Sequence, residues 1–367
     1  MFDCIVKGGT LADGLGNKPE TGDVAIKDGR IAEVGGRING LAKRVIDADG
    51  ALVTPGWIDL HTHYDGQVSW DSEMAPSSHN GVTTVVMGNC GVGFAPVLEG
   101  QEKELIELME GVEDIPGSAL HEGMEWGKWE TFPEYLDYLE TREFSLDVGA
   151  QIAHGSLRYY AMGERGRLNQ DATEDDLSLM GKLVTEALDA GAVGFSTSRI
   201  IGHRSLWGEP VPGTFAPHQE VLAIAEAMKK SSKGVFQMIP AGTVGKLESL
   251  GGEKATQQEE HDLMVQVSMQ SGRPVTFTLV QSPDYDPETW REILELTEIA
   301  NDKGAKIYPQ VSSRPIGFLT GLSGYHAFMR RPTYLREVVH LQLQAKVAVM
   351  SRPEIRNAIL GGAAIHP

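Results

Sequence analysis

The spacing of apolar and polar positions changes character part-way along the chain. Over the first 55 residues, short alternating runs at 24–26 and 31–34 are separated by Asp28-Gly29, and Asp49-Gly50 follows a little later. Such dipeptides supply the positive φ angles of tight turns, so this stretch predicts a small β module over residues 1–55. Pro55-Gly56 then punctuates the chain and introduces the apolar run 57–60, which ends at His61. Beyond it one unit recurs: an apolar or β-branched run, a polar or glycine-containing turn, and a stretch with apolar residues every three to four positions. The strand-like runs are 83–87, 148–153, 192–196, 235–239, 275–280 and 306–311, and the helical stretches 174–190, 219–229, 259–270 and 288–303 lie among them. Strand followed by helix, repeated, predicts a parallel sheet. With the run before His61 the strands number about seven, where a closed (β/α) barrel needs eight.

Composition narrows the class without changing the pattern. The 367 residues are 41% hydrophobic and 23% charged, which fits a soluble globular chain and excludes a disordered, collagenous or coiled-coil one. A formal net charge of -19 repels polyanions, so no nucleic-acid partner is expected. The apolar runs fall far short of the roughly 18–20 residues that span a bilayer, and Met1-Phe2-Asp3-Cys4 does not open a basic-then-apolar leader. The expectation is a cytoplasmic protein with no membrane association. Two cysteines, Cys4 and Cys90, cannot build a disulfide framework, so each needs its own explanation.

In parallel α/β folds the chemistry sits at the C-terminal ends of the strands. There the run 57–60 delivers His61-Thr62-His63-Tyr64-Asp65. Two histidines at i and i+2 share one face of an extended segment, so both imidazoles can reach one metal ion. The next run leads to Gly88-Asn89-Cys90-Gly91, where flanking glycines let the backbone approach closely. A thiolate there could cap a zinc ion, and a nucleophilic cysteine is the competing reading. A dinucleotide loop is excluded, because Pro96 stands where the fingerprint continues and no acidic ribose partner follows. Cys4, inside the first predicted strand, reads as a small core residue. Ser196 and Ser198 lack the glycine two positions on that a serine nucleophile's elbow requires.

These residues carry a resemblance. The segments 55–65 and 81–96, then His154-Gly155-Ser156-Leu157-Arg158, Gly194-Phe195-Ser196-Thr197-Ser198-Arg199 and the stretch 208–214, resemble the N-acyl-D-amino-acid deacylase (D-aminoacylase) branch of the amidohydrolase superfamily. The His-x-His strand end is common to many amidohydrolases, whereas Gly-Asn-Cys-Gly is far more specific to this branch. The resemblance implies an α/β fold: a (β/α)8-type TIM barrel, here over residues 56–367 and lacking its last unit, with a small N-terminal β-sandwich module over residues 1–55. It implies one Zn2+ held by His61, His63 and Cys90, and zinc-assisted attack of water on an amide carbonyl. The cysteine stands in for the carboxylated lysine of related enzymes, and the fourth strand run contains no lysine.

Two departures from the branch bear on activity. Gln237 and Gln281 occupy the places where further histidines are expected after the fifth and sixth strands, and a glutamine amide is a poor zinc ligand, so one ion is expected. The catalytic aspartate that follows strand eight has no counterpart before Pro367, so the catalytic base is unassigned and this chain is expected to be truncated, with little hydrolase activity. His154, Arg158, His203 and Arg204 follow the third and fourth strands and are the candidates for binding substrate, an arginine pairing with its carboxylate, the alternative being that they cap helices or pair with surface acid; Arg314 has a similar position after the seventh. His218, His261, His326, His340 and His366 read as structural or solvated, and the acidic stretch 102–114 as a solvated helix and loop.

The function expected is metal-dependent hydrolysis of a non-peptide C–N amide bond, with a small-molecule N-acyl amino acid as substrate. Two alternatives stand: an amidohydrolase for another acylated or cyclic amide, and a non-catalytic barrel. A nicotinamide oxidoreductase has no motif to support it. Open sheet edges would favour association of identical copies, hence a homo-oligomer.

Overall fold

The computed structural model describes residues 1–247, 250–282, 287–312, 321, 322, 326, 328, 329 and 331–362. Arg314 and His366 lie outside the described residues. The chain divides into two compact units, Met1–Ile58 with His79–Thr84, and Asp59–Ser78 with Val85–Pro367.

The smaller unit holds β1 (Phe2–Leu11), β2 (Glu20–Lys27), β3 (Arg30–Val34), β4 (Ala42–Asp47) and β5 (Leu52–Val53) in one mixed sheet. The order is β3-β2-β1-β4, with β5 also on β1. Asp28 and Gly29 turn β2 into antiparallel β3 with φ of 51° and 69°, the hairpin that the Asp-Gly pair predicts. Asp49-Gly50 does something different. It joins β4 to β5, and both pair with β1 in parallel, so the turn bends one strand path and makes no hairpin. Ile5, Ala25 and Ile38 form a small buried cluster in this unit.

A second sheet has seven strands among the described residues: β6 (Trp57–Asp59), β7 (Val82–Met87), β8 (Asp147–Ala153), β9 (Gly194–Ser198), β10 (Val235–Ile239), β11 (Val275–Thr278) and β12 (Ile307–Gln310). They lie side by side in chain order, and the pairings from β8 through β12 are parallel. The helices Glu174–Ala190, His218–Ser231, Gln257–Ser271 and Thr289–Asp302 alternate with them. This is the strand–helix alternation that the periodicity predicts. Thr173 and Thr256 start two of these helices with capping boxes, each hydroxyl accepting the N3 N–H while the N3 carboxylate takes the N-cap N–H. The strand β9 starts two residues later than the apolar run suggests. Gly191 and Ala192 still donate to the Ala187 carbonyl, so they close the preceding helix before the strand begins.

The sheet curls. His61 follows β6 and Gln310 ends β12, at opposite ends of the strand order, yet Nδ1 of His61 lies 3.0 Å from Oε1 of Gln310. Apolar side chains such as Ile152, Phe195, Phe236 and Phe277 are fully buried on these strands. Buried polar side chains interrupt them, and those build the site.

Candidate metal centre

Three polar side chains from adjacent strands hold the loop that carries Cys90. Ser196 of β9 and Gln237 of β10 are cross-strand partners, and Gln151 lies on neighbouring β8. The Gly91 N–H donates to Ser196 Oγ at 3.1 Å, and that hydroxyl donates to the Gly88 carbonyl. Gln237 Oε1 accepts the Cys90 N–H at 3.2 Å, and Gln151 Nε2 donates to Asn89 Oδ1 at 2.8 Å. Asn89 in turn donates to the carbonyls of Thr62 and Val86, tying the cysteine loop to the histidine segment. Glycine is required at 88: φ is +76°, and a Cβ there would stand 2.1 Å from the Gln151 carbonyl oxygen. Cys90 itself takes a left-handed φ of 57°, a conformation uncommon outside glycine and here enforced by bonds on both sides. Ser196 is thus a clamp for the loop.

The loop and the β6 strand end bring three donors together. The ligand atoms of His61, His63 and Cys90 all lie within 4.8 Å of one another. His61 Nε2 is 3.0 Å from Cys90 Sγ. Because Gln310 Oε1 can only accept, Nδ1 of His61 carries the proton and its Nε2 lone pair faces the sulfur. Gln310 is itself held by the bond from its Nε2 to Thr276 Oγ1 at 3.2 Å. Burial lowers the pKa of both histidines, and for His63 the neighbouring His61 and His203 add to this, so both rings are neutral near pH 7. Neutral imidazole is the form that binds a metal.

The chemistry of this set fits a borderline-soft divalent cation. One buried atom supports that directly: His63 Nδ1 has no hydrogen-bond partner among the described residues. Burial also drives the Cys90 thiol pKa well up, helped by Glu113 and Asp65. Without a cation the thiolate is therefore disfavoured, for a nucleophile and for a ligand alike, and a metal ion beside the sulfur would offset that cost.

Several neighbours were not legible as site residues. Glu113 closes the helix Glu102–Glu113 and places Oε1 3.2 Å from His63 Nε2. That corrects the reading of 102–114 as a solvated stretch, since Leu105, Ile106, Leu108 and Met109 bury one face of the helix. Burial, then the charges of Asp65 and Asp114, push the Glu113 carboxyl up to about 8. Asp65 is buried and rises to about 7, chiefly through desolvation. Gln310 lies in a strand-like run whose sequence carries no metal-site signal.

The remaining candidates divide. His203 is close enough to the pair for its charge to depress His63; burial and His61 bring its own pKa to about 4, and its Nδ1 lies 2.9 Å from Ser198 Oγ. His154 and Arg158 are both buried against Glu220, with His154 Nε2 2.8 Å from Oε1, His154 Nδ1 2.9 Å from Thr197 Oγ1, and Arg158 paired to the same oxygen. Arg204 donates to the carbonyls of Ile201 and Gly208. Gln237 sits beside Cys90, but Gln281 is exposed. Cys4 is half-buried in β1, and no helix among the described residues is long and apolar enough to cross a membrane.

Residues 44–360 match the sequence profile of the amidohydrolase family. The chain belongs to that family. Among amidohydrolases it is 33% identical over 196 residues to a D-aminoacylase of Alcaligenes xylosoxydans xylosoxydans, covering 53% of this chain and 37% of that one. It is 32% identical over 234 residues to an N-acyl-D-aspartate deacylase of the same organism, covering 64% and 42% respectively. A solved D-aminoacylase described as having a binuclear metal centre superposes with a TM-score of 0.67 at 26% identity, over 85% of this chain and 58% of that one. The chain therefore spans about two fifths of the length of the two curated relatives, 37% and 42%. The fold is that of the amidohydrolase barrel, seven strands of it among the described residues, accompanied by a small mixed β-sheet module.

Proposed function

We propose that this amidohydrolase chain acts on the amide bond of N-acyl-D-amino acids, with one zinc ion held by His61, His63 and Cys90. The observation that carries the reading is the convergence of those three donors within 4.8 Å at the ends of neighbouring strands. Similarity to a D-aminoacylase and an N-acyl-D-aspartate deacylase supports the substrate class. A metal bound there would supply a Lewis acid for the amide carbonyl and lower the pKa of water. The chain's own residues prepare for this. Gln310 fixes the His61 tautomer, and Gln237 and Ser196 fix the cysteine loop. The buried Gln237 Nε2 has no partner among the described residues, so it is available to donate to a substrate oxygen beside Cys90. His203, neutral and next to the pair, is the substrate-facing histidine in this reading.

The test is enantiomer-resolved calorimetry with N-acetyl-D- and N-acetyl-L-amino acids, on chain loaded with zinc and on chain stripped by chelator. Saturable binding of D-enantiomers that disappears with the metal is expected. Indifference to both chirality and zinc would contradict the reading, and zinc-dependent binding of a cyclic amide instead would assign the site to another amidohydrolase substrate.

A further inference from the structure

We propose that His154 is a positioning residue for the metal centre, setting the Cys90 loop against the end of β9 through Thr197 and through the N–H of Gly155. The inference rests on the metal reading above. The strand β9 ends in Ser196-Thr197-Ser198, and successive side chains of a strand face opposite ways. Ser196 holds the Cys90 loop at Gly88 and Gly91, Ser198 holds His203, and Thr197, on the other face, meets His154.

His154 opens the helix His154–Met162 directly after β8. Its ring nitrogens are taken by partners on different elements, Nδ1 by Thr197 Oγ1 at 2.9 Å and Nε2 by Glu220 Oε1 at 2.8 Å. The ring is therefore held against rotation. Phe195 packs edge-on to it with centroids 5.2 Å apart, and Gly213, at φ +104°, passes so close that a Cβ there would stand 2.5 Å from Nδ1. The next residue reaches the loop itself. Gly155 N–H donates to the Gly91 carbonyl at 2.9 Å, and a Cβ on Gly155 would stand 2.6 Å from that oxygen. Gly91, which follows Cys90, thus has its N–H bound to Ser196 of β9 and its carbonyl bound to the start of the helix. The His154–Thr197 bond joins these two supports. Breaking it leaves a buried polar atom unpaired, and the movement that would satisfy that atom shifts one support relative to the other and carries the sulfur with it.

The experiment is a zinc titration against a competing chromophoric chelator, with the absorption of the cobalt-loaded chain as second readout, since its sulfur-to-metal charge-transfer band reports how Cys90 meets the ion. Thr197→Val, which keeps the shape and removes the hydroxyl, is expected to weaken zinc by about 10-fold and to shift that band; Thr197→Ser is expected to restore both. The control is Thr297→Val. It makes the same change at a second buried threonine–histidine pair, Thr297 Oγ1 lying 3.3 Å from His261 Nε2 between two outer helices, and is expected to leave affinity and band unchanged. A parent that binds neither metal overturns the metal reading and this inference with it. A Thr197→Val chain with the parent's affinity and band overturns the inference alone, and so do equal losses in Thr197→Val and Thr297→Val, which would reduce the effect to stability. Should Thr197→Val fail to fold, Gly155→Ala takes its place: a weakened zinc site with a shifted band supports the positioning role, and parent values overturn it.

Discussion

Cys90→Ala is expected to weaken zinc binding by at least about 100-fold, and His61→Ala by a comparable factor, since each removes a ligand outright where loss of an outer partner alone costs about 10–100-fold. The cysteine variant should keep its fold. Its backbone N–H to Gln237 and the Ser196 clamp on Gly88 and Gly91 do not involve the sulfur. Removing the sulfur takes away the weak S–H donor to His61 Nε2 at 3.0 Å, so a small stability loss is expected beside the much larger loss of metal affinity. Equilibrium dialysis against chelator, with unfolding midpoints measured in parallel, separates the two. A Cys90→Ala chain that retains the parent's affinity would remove the sulfur from the site.

The second large effect concerns stability. Glu220 is 2% exposed and binds His154 and Arg158, itself 1% exposed. Burial alone would raise the Glu220 pKa, but the hydrogen bond and charge of His154 and the Arg158 guanidinium outweigh it and bring the carboxyl to about 2 from the ordinary 4.5. Removing one partner strands the Arg158 charge in the interior, so Glu220→Gln is expected to cost about 3–5 kcal/mol in denaturant unfolding. The sign of the pH dependence follows from the depressed folded value. The contribution of Glu220 is fully present above pH 4.5 and is lost as pH falls from there towards 2, because the unfolded chain takes up the proton first. Over that window the parent should lose stability more steeply than Glu220→Gln. Parallel pH profiles, or an unchanged midpoint at neutral pH, would contradict this account of the pair.

The barrel strands were legible because each is a short apolar run bounded by glycine or polar residues, and β10 at Val235–Ile239 coincides with its run. His61, His63 and Cys90 were legible for a similar reason: each stands just beyond a strand, so local spacing places it at the sheet's C-terminal rim. Contacts made by long closure were not. His61 and Gln310 are 249 positions apart, and nothing local in either segment announces that β6 and β12 curl towards one another. Glu113 was obscured by its surroundings. An acidic run reads as solvated, and only the packing of Leu105, Ile106, Leu108 and Met109 turns its last residue inward. His154 and Arg158 show the converse. Strand-end position marks them for a pocket, and the buried carboxylate that engages both belongs to the helix His218–Ser231, in a segment whose pattern shows only a helix.

The central claim is that a cysteine sulfur and two imidazoles hold one metal ion. The most direct measurement is the X-ray absorption spectrum at the metal edge of the purified chain loaded with one equivalent of zinc. The account predicts one sulfur and at least two imidazole nitrogens around the ion; a shell of oxygen and nitrogen with no sulfur, or a chain that retains no zinc, would contradict it.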